Sequence, residues 1–182
     1  MHSEKDFIER CINNDPKAQE ALYNRYSPKM FGVCLRFAKN KIEAEEILQE
    51  GFIKIFLNLK NFRHEGSFEG WIRRTIINTA INYFKKKSRR FVEVNIEDIK
   101  TTKVENESVI DKISVKELLK LIQTLPNGYR TVFNLNVIEG YTHKEIGKKL
   151  SISENTSKSQ LSKARKSLRK KIIKIREEIL VS

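Results

Sequence analysis

Between Tyr141 and Arg169 the chain spells a short helix, a three-residue break and a longer helix, each with its own start signal. Thr142 and Glu145 form a T-x-x-E box, which satisfies the free N–H groups at a helix start. Residues 143–150 follow as the first helix, and Ser153 caps the second from Glu154. Ile146, Leu150 and Ile152 supply a small core, and Gly147 lets the two helices approach closely. Leu161, Ala164, Leu168 and Ile172 recur on the inner side of the second helix. Lys158, Ser159, Ser162, Lys163 and Lys166 then fall on its outer side, beginning near its N-terminus. A capped helix, a tight turn and a basic capped helix make the helix-turn-helix pattern, whose second helix enters the DNA major groove. Lys donates to guanine O6 and N7, and Ser bonds either kind of base. A solvated face on a core helix would also carry charge, but the box, the turn and the charge coincide here, which favours DNA.

Charge supports that reading. The 182 residues hold 36 Lys and Arg against 23 Asp and Glu, for a net charge of +13 and a pI near 9.7. Residues 141–176 contain twelve of the basic residues and only Glu145 and Glu154 against them. Lys85, Lys86, Lys87, Arg89 and Arg90 form a second basic block. The stretch between the blocks, 93–112, has six acids and three lysines. Two basic blocks on an acidic connector predict two contacts with one polyanion, and nucleic acid is the leading candidate.

Seven glycines and three prolines are too few for a turn-rich β fold, so the expected class is all-α. The length suits one ordinary domain or two small ones. No apolar stretch reaches the ~18 residues of a membrane span, and Met1 to Arg10 lacks the apolar segment of a secretory signal. No membrane insertion and a cytoplasmic location are expected. Cys11 and Cys34, isolated in apolar contexts, read as buried free thiols. His2, His64 and His143 are scattered, without metal-ligand spacing or a triad, and no phosphate-binding glycine motif occurs. An enzyme, a metal and a cofactor are not expected.

In the first half, Ser3 can cap a helix to about residue 13. Asp15 and Pro16 start a second, which Pro28 should kink or divide. Residues 42–59 hold a 3-4-3 apolar spacing over four turns. Their other face carries Glu43, Glu45, Glu46, Glu50 and Lys54, an acidic surface suited to water or a basic protein rather than DNA. Residues 61–67 read as a loop, with Ser67 capping a helix over 68–87. On that helix Ile72, Ile76, Ile77, Ala80, Tyr83 and Phe84 share one arc, while Trp71, Arg74, Thr75, Asn78, Asn82 and Lys85 share the opposite one. Arg73 misfits, because it projects to the apolar side. Exposed aromatics (Phe62, Phe68, Trp71) beside amides and cations suit unpaired bases, which stack on rings for ~1–3 kcal/mol each. The alternative is that Trp71 packs on the preceding helix. Residues 129–138 read as one helix.

The run Glu45-Glu46-Ile47-Leu48-Gln49-Glu50-Gly51-Phe52, with Phe62-Arg63, Ser67-Phe68, Trp71-Ile72 and Asn78, resembles region 2 of the extracytoplasmic-function (ECF) sigma factors. Leu125-Pro126, Arg130, Val132-Phe133, Glu139-Gly140, Glu145-Ile146-Gly147, Leu150 to Ser153, Ala164-Arg165 and Leu168-Arg169 resemble their region 4. The resemblance implies two small helical domains, 1–90 and 113–182, joined by a flexible acidic linker over 91–112. It implies core RNA polymerase, promoter DNA and an anti-sigma factor as partners. Glu43, Glu46, Gln49, Glu50 and Ile53 would touch the polymerase. Phe62, Arg63, Phe68, Trp71, Arg74, Asn78, Asn82 and Lys85 would meet the −10 element, with Asn78 and Phe62 lining a pocket for a flipped base. Thr156, Lys158, Ser159, Ser162, Lys163 and Lys166 would meet the −35 element. Asn82 stands where many members have Asp, and Ser157 takes an inward position that is usually apolar. A stand-alone helix-turn-helix repressor or activator is the main competing reading, and a general RNA-binding module is a third.

Overall fold

The computed structural model describes residues 4–90 and 114–180, and every regular element in them is helical. Ser3 and the connector 91–112, with its acidic residues, lie outside the described residues. Helix α1 spans Glu4–Ile12, α2 Pro16–Phe37, α3 Lys41–Asn58 and α4 Phe68–Arg90. After the connector come α5 Val115–Gln123, α6 Asn127–Phe133, α7 His143–Leu150 and α8 Glu154–Leu180. A 3-10 turn, Leu59–Asn61, extends α3, and a π turn, Asn134–Ile138, extends α6. Among the described residues no helix is long and apolar enough to cross a membrane.

Starts follow the local chemistry. Asp15 Oδ1 accepts the Lys17 and Ala18 N–H groups at 3.0 and 3.3 Å, and Pro16 holds the first position of α2. Ser67 Oγ accepts the Gly70 N–H at 3.0 Å. A capping box at Ser114 and Glu117 opens α5.

Two expectations need correction. Pro28 does not divide α2, which runs to Phe37. An interior proline costs about 3 kcal/mol. Here Leu22, Tyr26, Met30, Val33 and Phe37 are all buried along the same helix, each contributing about 1.5–3 kcal/mol, so packing outweighs the break. The second correction concerns 129–138, where the helix widens after Phe133. The Glu139 N–H reaches back five residues to the Asn134 carbonyl (3.0 Å).

The first core centres on α1 to α4, with Met30, Phe37, Ile47, Ile55, Ile72 and Ile76, and continues into the C-terminal half through Val132, Leu135, Ile146 and Leu161. Gly51 sets the α3–α4 spacing, because a Cβ there would collide with the Ile76 side chain. The second core joins Leu121, Ile122 and Leu125 to Ala164 and Leu168 of α8. Cys11 and Cys34 are buried free thiols, and burial pushes the Cys34 thiol up to about 12.

Gly147 carries a stability prediction. A Cβ there would stand 2.9 Å from the Ile152 carbonyl oxygen, which is backbone and cannot swing aside. We expect Gly147→Ala to cost about 1–3 kcal/mol, the usual range for overpacking, read as a lowered melting temperature. An unchanged midpoint would contradict the tight α7–α8 contact.

Candidate nucleic-acid interface

A cleft of about 330 Å³ opens between the C-terminal end of α3 and the outer stripe of α4. Trp71, Thr75, Asn78, Thr79 and Asn82 line one wall, and Lys54, Asn58 and Asn61 the other. Helical spacing places Trp71, Asn78 and Asn82 together, as the sequence predicts. The opposite wall is held by short bonds: Asn58 Nδ2 donates to the Lys54 carbonyl at 2.8 Å, and Asn61 Nδ2 donates to Asn58 Oδ1 at 3.2 Å. Lys54, Asn58, Thr75 and Thr79 were not among the expected site residues. The signal for the first two was their four-residue spacing on the polar side of an otherwise apolar helix.

Trp71 is half-buried against residues of its own helix and the loop before it. One face stacks on Phe68, with centroids 6.0 Å apart and planes 10° apart, while the half-exposed ring still borders the cleft. Phe62 and Phe68 correct the expectation of exposed rings. They are 8% and 1% exposed, and Phe62 packs against Phe68 and Trp71 with centroids 5.1 and 5.7 Å apart. The 62–67 loop turns them inward, so they form a floor under Trp71 rather than a platform for bases. Arg63 and Arg74 are exposed and do not line the cleft. Asn78 Oδ1 accepts from Lys149 Nζ at 3.2 Å, and Lys85 Nζ lies 3.5 Å from Ser151 Oγ.

The acidic face of α3 is present with one exception. Glu46, Gln49 and Ile53 are exposed and Glu50 partly so. Glu43 is 6% exposed and its carboxylate accepts the Lys39 N–H at 2.9 Å, so it does not present itself to a partner. Its position, four before Ile47 and eight before Gly51, places it on the inward arc. Glu50 pairs with Lys54 at 2.6 Å and Glu46 accepts from the Tyr83 hydroxyl at 2.5 Å. Burial first, and then that bond and the charge of Glu46, hold the Tyr83 phenol well above its ordinary range. Ile42, Ile53 and Leu57 lie bare on this helix at 67%, 54% and 70% exposure.

In the C-terminal half the Thr142 box is formed. Thr142 Oγ1 accepts the Glu145 N–H at 3.3 Å, and Glu145 Oε2 accepts the Thr142 N–H at 2.8 Å. The bonds from Thr142 hold the Glu145 carboxyl below its usual range. Its stabilising effect is therefore complete at neutral pH and lost as pH falls through the depressed value. Ser151 adopts a left-handed φ of 59° at the turn, and Ser153 Oγ accepts the Thr156 N–H at 2.9 Å. Lys158, Ser159, Ser162 and Lys163 are exposed on one side of α8, with Thr156 and Lys166 half-buried beside them. Ser157 is fully buried, and its Oγ lies 2.9 Å from His143 Nδ1. A polar residue thus fits the inward position because the preceding helix supplies a partner.

One helical block carries a polar cleft edged by Trp71, and the other carries a helix-turn-helix with a basic second helix. Together they define a two-part nucleic-acid-binding protein. Residues 22–90 match the family model Sigma-70 region 2, and residues 116–168 match Sigma-70, region 4. The chain is 28% identical over 181 residues to the RNA polymerase sigma-H factor of Pseudomonas aeruginosa, covering 93% of this chain and 94% of that one. It is 27% identical over 184 residues to the ECF RNA polymerase sigma-E factor of Haemophilus influenzae, covering 93% and 95%. Among solved structures, the sigma factor RpoE, crystallised with the anti-sigma factor NepR from Bartonella quintana, aligns with a TM-score of 0.52 at 17% identity. That alignment covers 86% of this chain and 96% of that one, and it shows a shared fold. The chain belongs to the sigma-70 family of RNA polymerase sigma factors, in its ECF group.

Proposed function

We propose that this chain directs core RNA polymerase to its promoters by reading two DNA elements with two separate surfaces. The acidic and apolar outer face of α3, with Glu46, Gln49, Glu50 and Ile53, docks on the polymerase. Asn78, with Trp71 and Asn82 beside it, receives an unpaired base of the −10 element in the cleft. Arg63, Arg74 and Lys85 hold the phosphates, while Phe62 and Phe68 position Trp71 from below. Lys158, Ser159, Ser162 and Lys163, flanked by Thr156 and Lys166, meet the −35 element in the major groove. The polymerase performs the chemistry, in the cytoplasm, and an anti-sigma factor such as the one bound to RpoE is the natural antagonist.

The observation that carries this reading is the polar cleft on α4. Flipping a base out of the stack costs a few kcal/mol, and a pocket with amide groups and an aromatic edge offsets that cost. A stand-alone repressor has no use for such a cleft, nor for an acidic apolar face turned away from DNA.

Lys158→Ala and Lys163→Ala test the −35 assignment. Each should weaken −35-dependent initiation by at least about fivefold, since a base contact discriminates by roughly 1–3 kcal/mol. Assembly with core polymerase should be unaffected. Lost assembly instead would show the surface of α8 to be misassigned.

A further inference from the structure

The base-reading end of α8 has little apolar anchorage. Its buried apolar residues, Leu161, Ala164 and Leu168, begin about two turns into the helix and run away from its start. In the first turn, 154–157, Ser157 is the one fully buried side chain. It stands directly before Lys158 and Ser159, so whatever holds it also holds them. Its Oγ shares a hydrogen bond of 2.9 Å with His143 Nδ1, either atom able to donate. His143 is itself fixed, as the first residue of α7 behind the Thr142 and Glu145 capping box. The close approach of Gly147 to the Ile152 carbonyl pins the turn between the helices. With the turn fixed, the rotation of α8 about its own axis is what remains to be set. Burial of apolar surface has no preferred direction, whereas a hydrogen bond weakens steeply when its angle is lost.

We propose that His143 and Ser157 are positioning residues whose bond sets the rotation of α8, and with it the base preference of the −35 surface. The proposal rests on the α8 assignment above. By helical spacing Ser159 and Ser162 project nearly opposite Ser157, with Lys158 and Lys163 on either flank. An atom about 6 Å from the helix axis moves about 2 Å when the helix turns by about 20°. A recognition contact holds its geometry only within about 0.5 Å, so a small rotation misaligns all four side chains together. Ser157 is buried and acts through these neighbours rather than on a base itself. Alignment with base edges carries sequence preference, whereas phosphate contacts carry none directly. Loss of the bond should therefore flatten the preference between bases and spare affinity for DNA in general.

Core polymerase is assembled with the full chain as wild type, Ser157→Ala, His143→Asn, His143→Phe or Lys163→Ala, each checked for helix content by circular dichroism. Every holoenzyme transcribes one promoter mapped with the wild type, and copies of it carrying each single-base change across the upstream element. The ratio of transcript from the native element to that from its altered copies reads base preference. Binding to a mixed-sequence duplex reads general affinity. Ser157→Ala and His143→Phe should compress the ratio about fivefold, the lower end of what one base contact discriminates, with general affinity within twofold of wild type. His143→Asn should keep the ratio within twofold, because its amide reaches the place of Nδ1. An unchanged ratio for Ser157→Ala, an equal loss on every template, or His143→Asn behaving like His143→Phe overturns the positioning pair. If Lys163→Ala compresses the ratio and Ser157→Ala does not, the pair alone has failed. If Lys163→Ala also leaves it unchanged, the α8 assignment has failed and the pair falls with it.

Discussion

Replacing Arg130 with leucine should lower the melting temperature by about 10 °C, the largest stability effect expected of any single side chain here. Arg130 is fully buried, yet its guanidinium donates to the carbonyls of Phe37, Gln123 and Leu125 and to Asn127 Oδ1 at 2.7–3.0 Å. It also lies over the Phe84 ring, 5.5 Å from the centroid. Burial lowers its pKa to about 10, with Glu43 opposing the shift, so it keeps its charge at neutral pH. Leucine would fill part of the volume but leave those acceptors without a donor. Each orphaned buried acceptor costs about 1–3 kcal/mol, and breaking a buried charged cluster typically costs about 3–5 kcal/mol. For a protein of this size 1 kcal/mol moves the midpoint by about 2–4 °C. Lysine should recover little, since one ammonium cannot reproduce the planar fork. A thermal melt decides, and a fall of under 3 °C for Arg130→Leu would show the network to be dispensable.

Asn78→Ala should reduce promoter opening by about tenfold while leaving duplex binding through α8 within a factor of two. Asn78 is exposed on the cleft wall, and its amide can pair with a base edge, a contact worth roughly 1–3 kcal/mol. Alanine keeps the helix and removes that contact together with the exposed Lys149 bond, which a Lys149→Ala control separates. Permanganate reactivity of unpaired thymines measures opening, and a filter or gel assay measures binding. Equal losses in both would remove Asn78 from strand capture.

The elements were legible because their signals are local. Thr142 with Glu145, Asp15 with Pro16, and Gly147 each act within a few residues, and the structure uses all three as the sequence indicates. Interactions across the chain were not legible. Arg130 looks like an ordinary helix arginine, and nothing in its neighbourhood announces Phe37, which lies 93 residues away. Arg73 was visible as a misfit but its partner was not, because Glu139 is 66 residues distant. Phe62 and Phe68 were placed outside because they flank a polar loop, but large rings bury more area than any loop residue and turned inward. Glu43 was counted with the acidic face by composition, although its spacing from Ile47 assigns it to the core side.

The most direct measurement is transcription in vitro with purified core polymerase, this chain and its native chromosomal DNA, with start sites mapped. Discrete starts should appear, each preceded by the same pair of upstream elements and absent without the chain. A folded chain that yields no start site anywhere would contradict the assignment of two DNA-reading surfaces to a polymerase subunit.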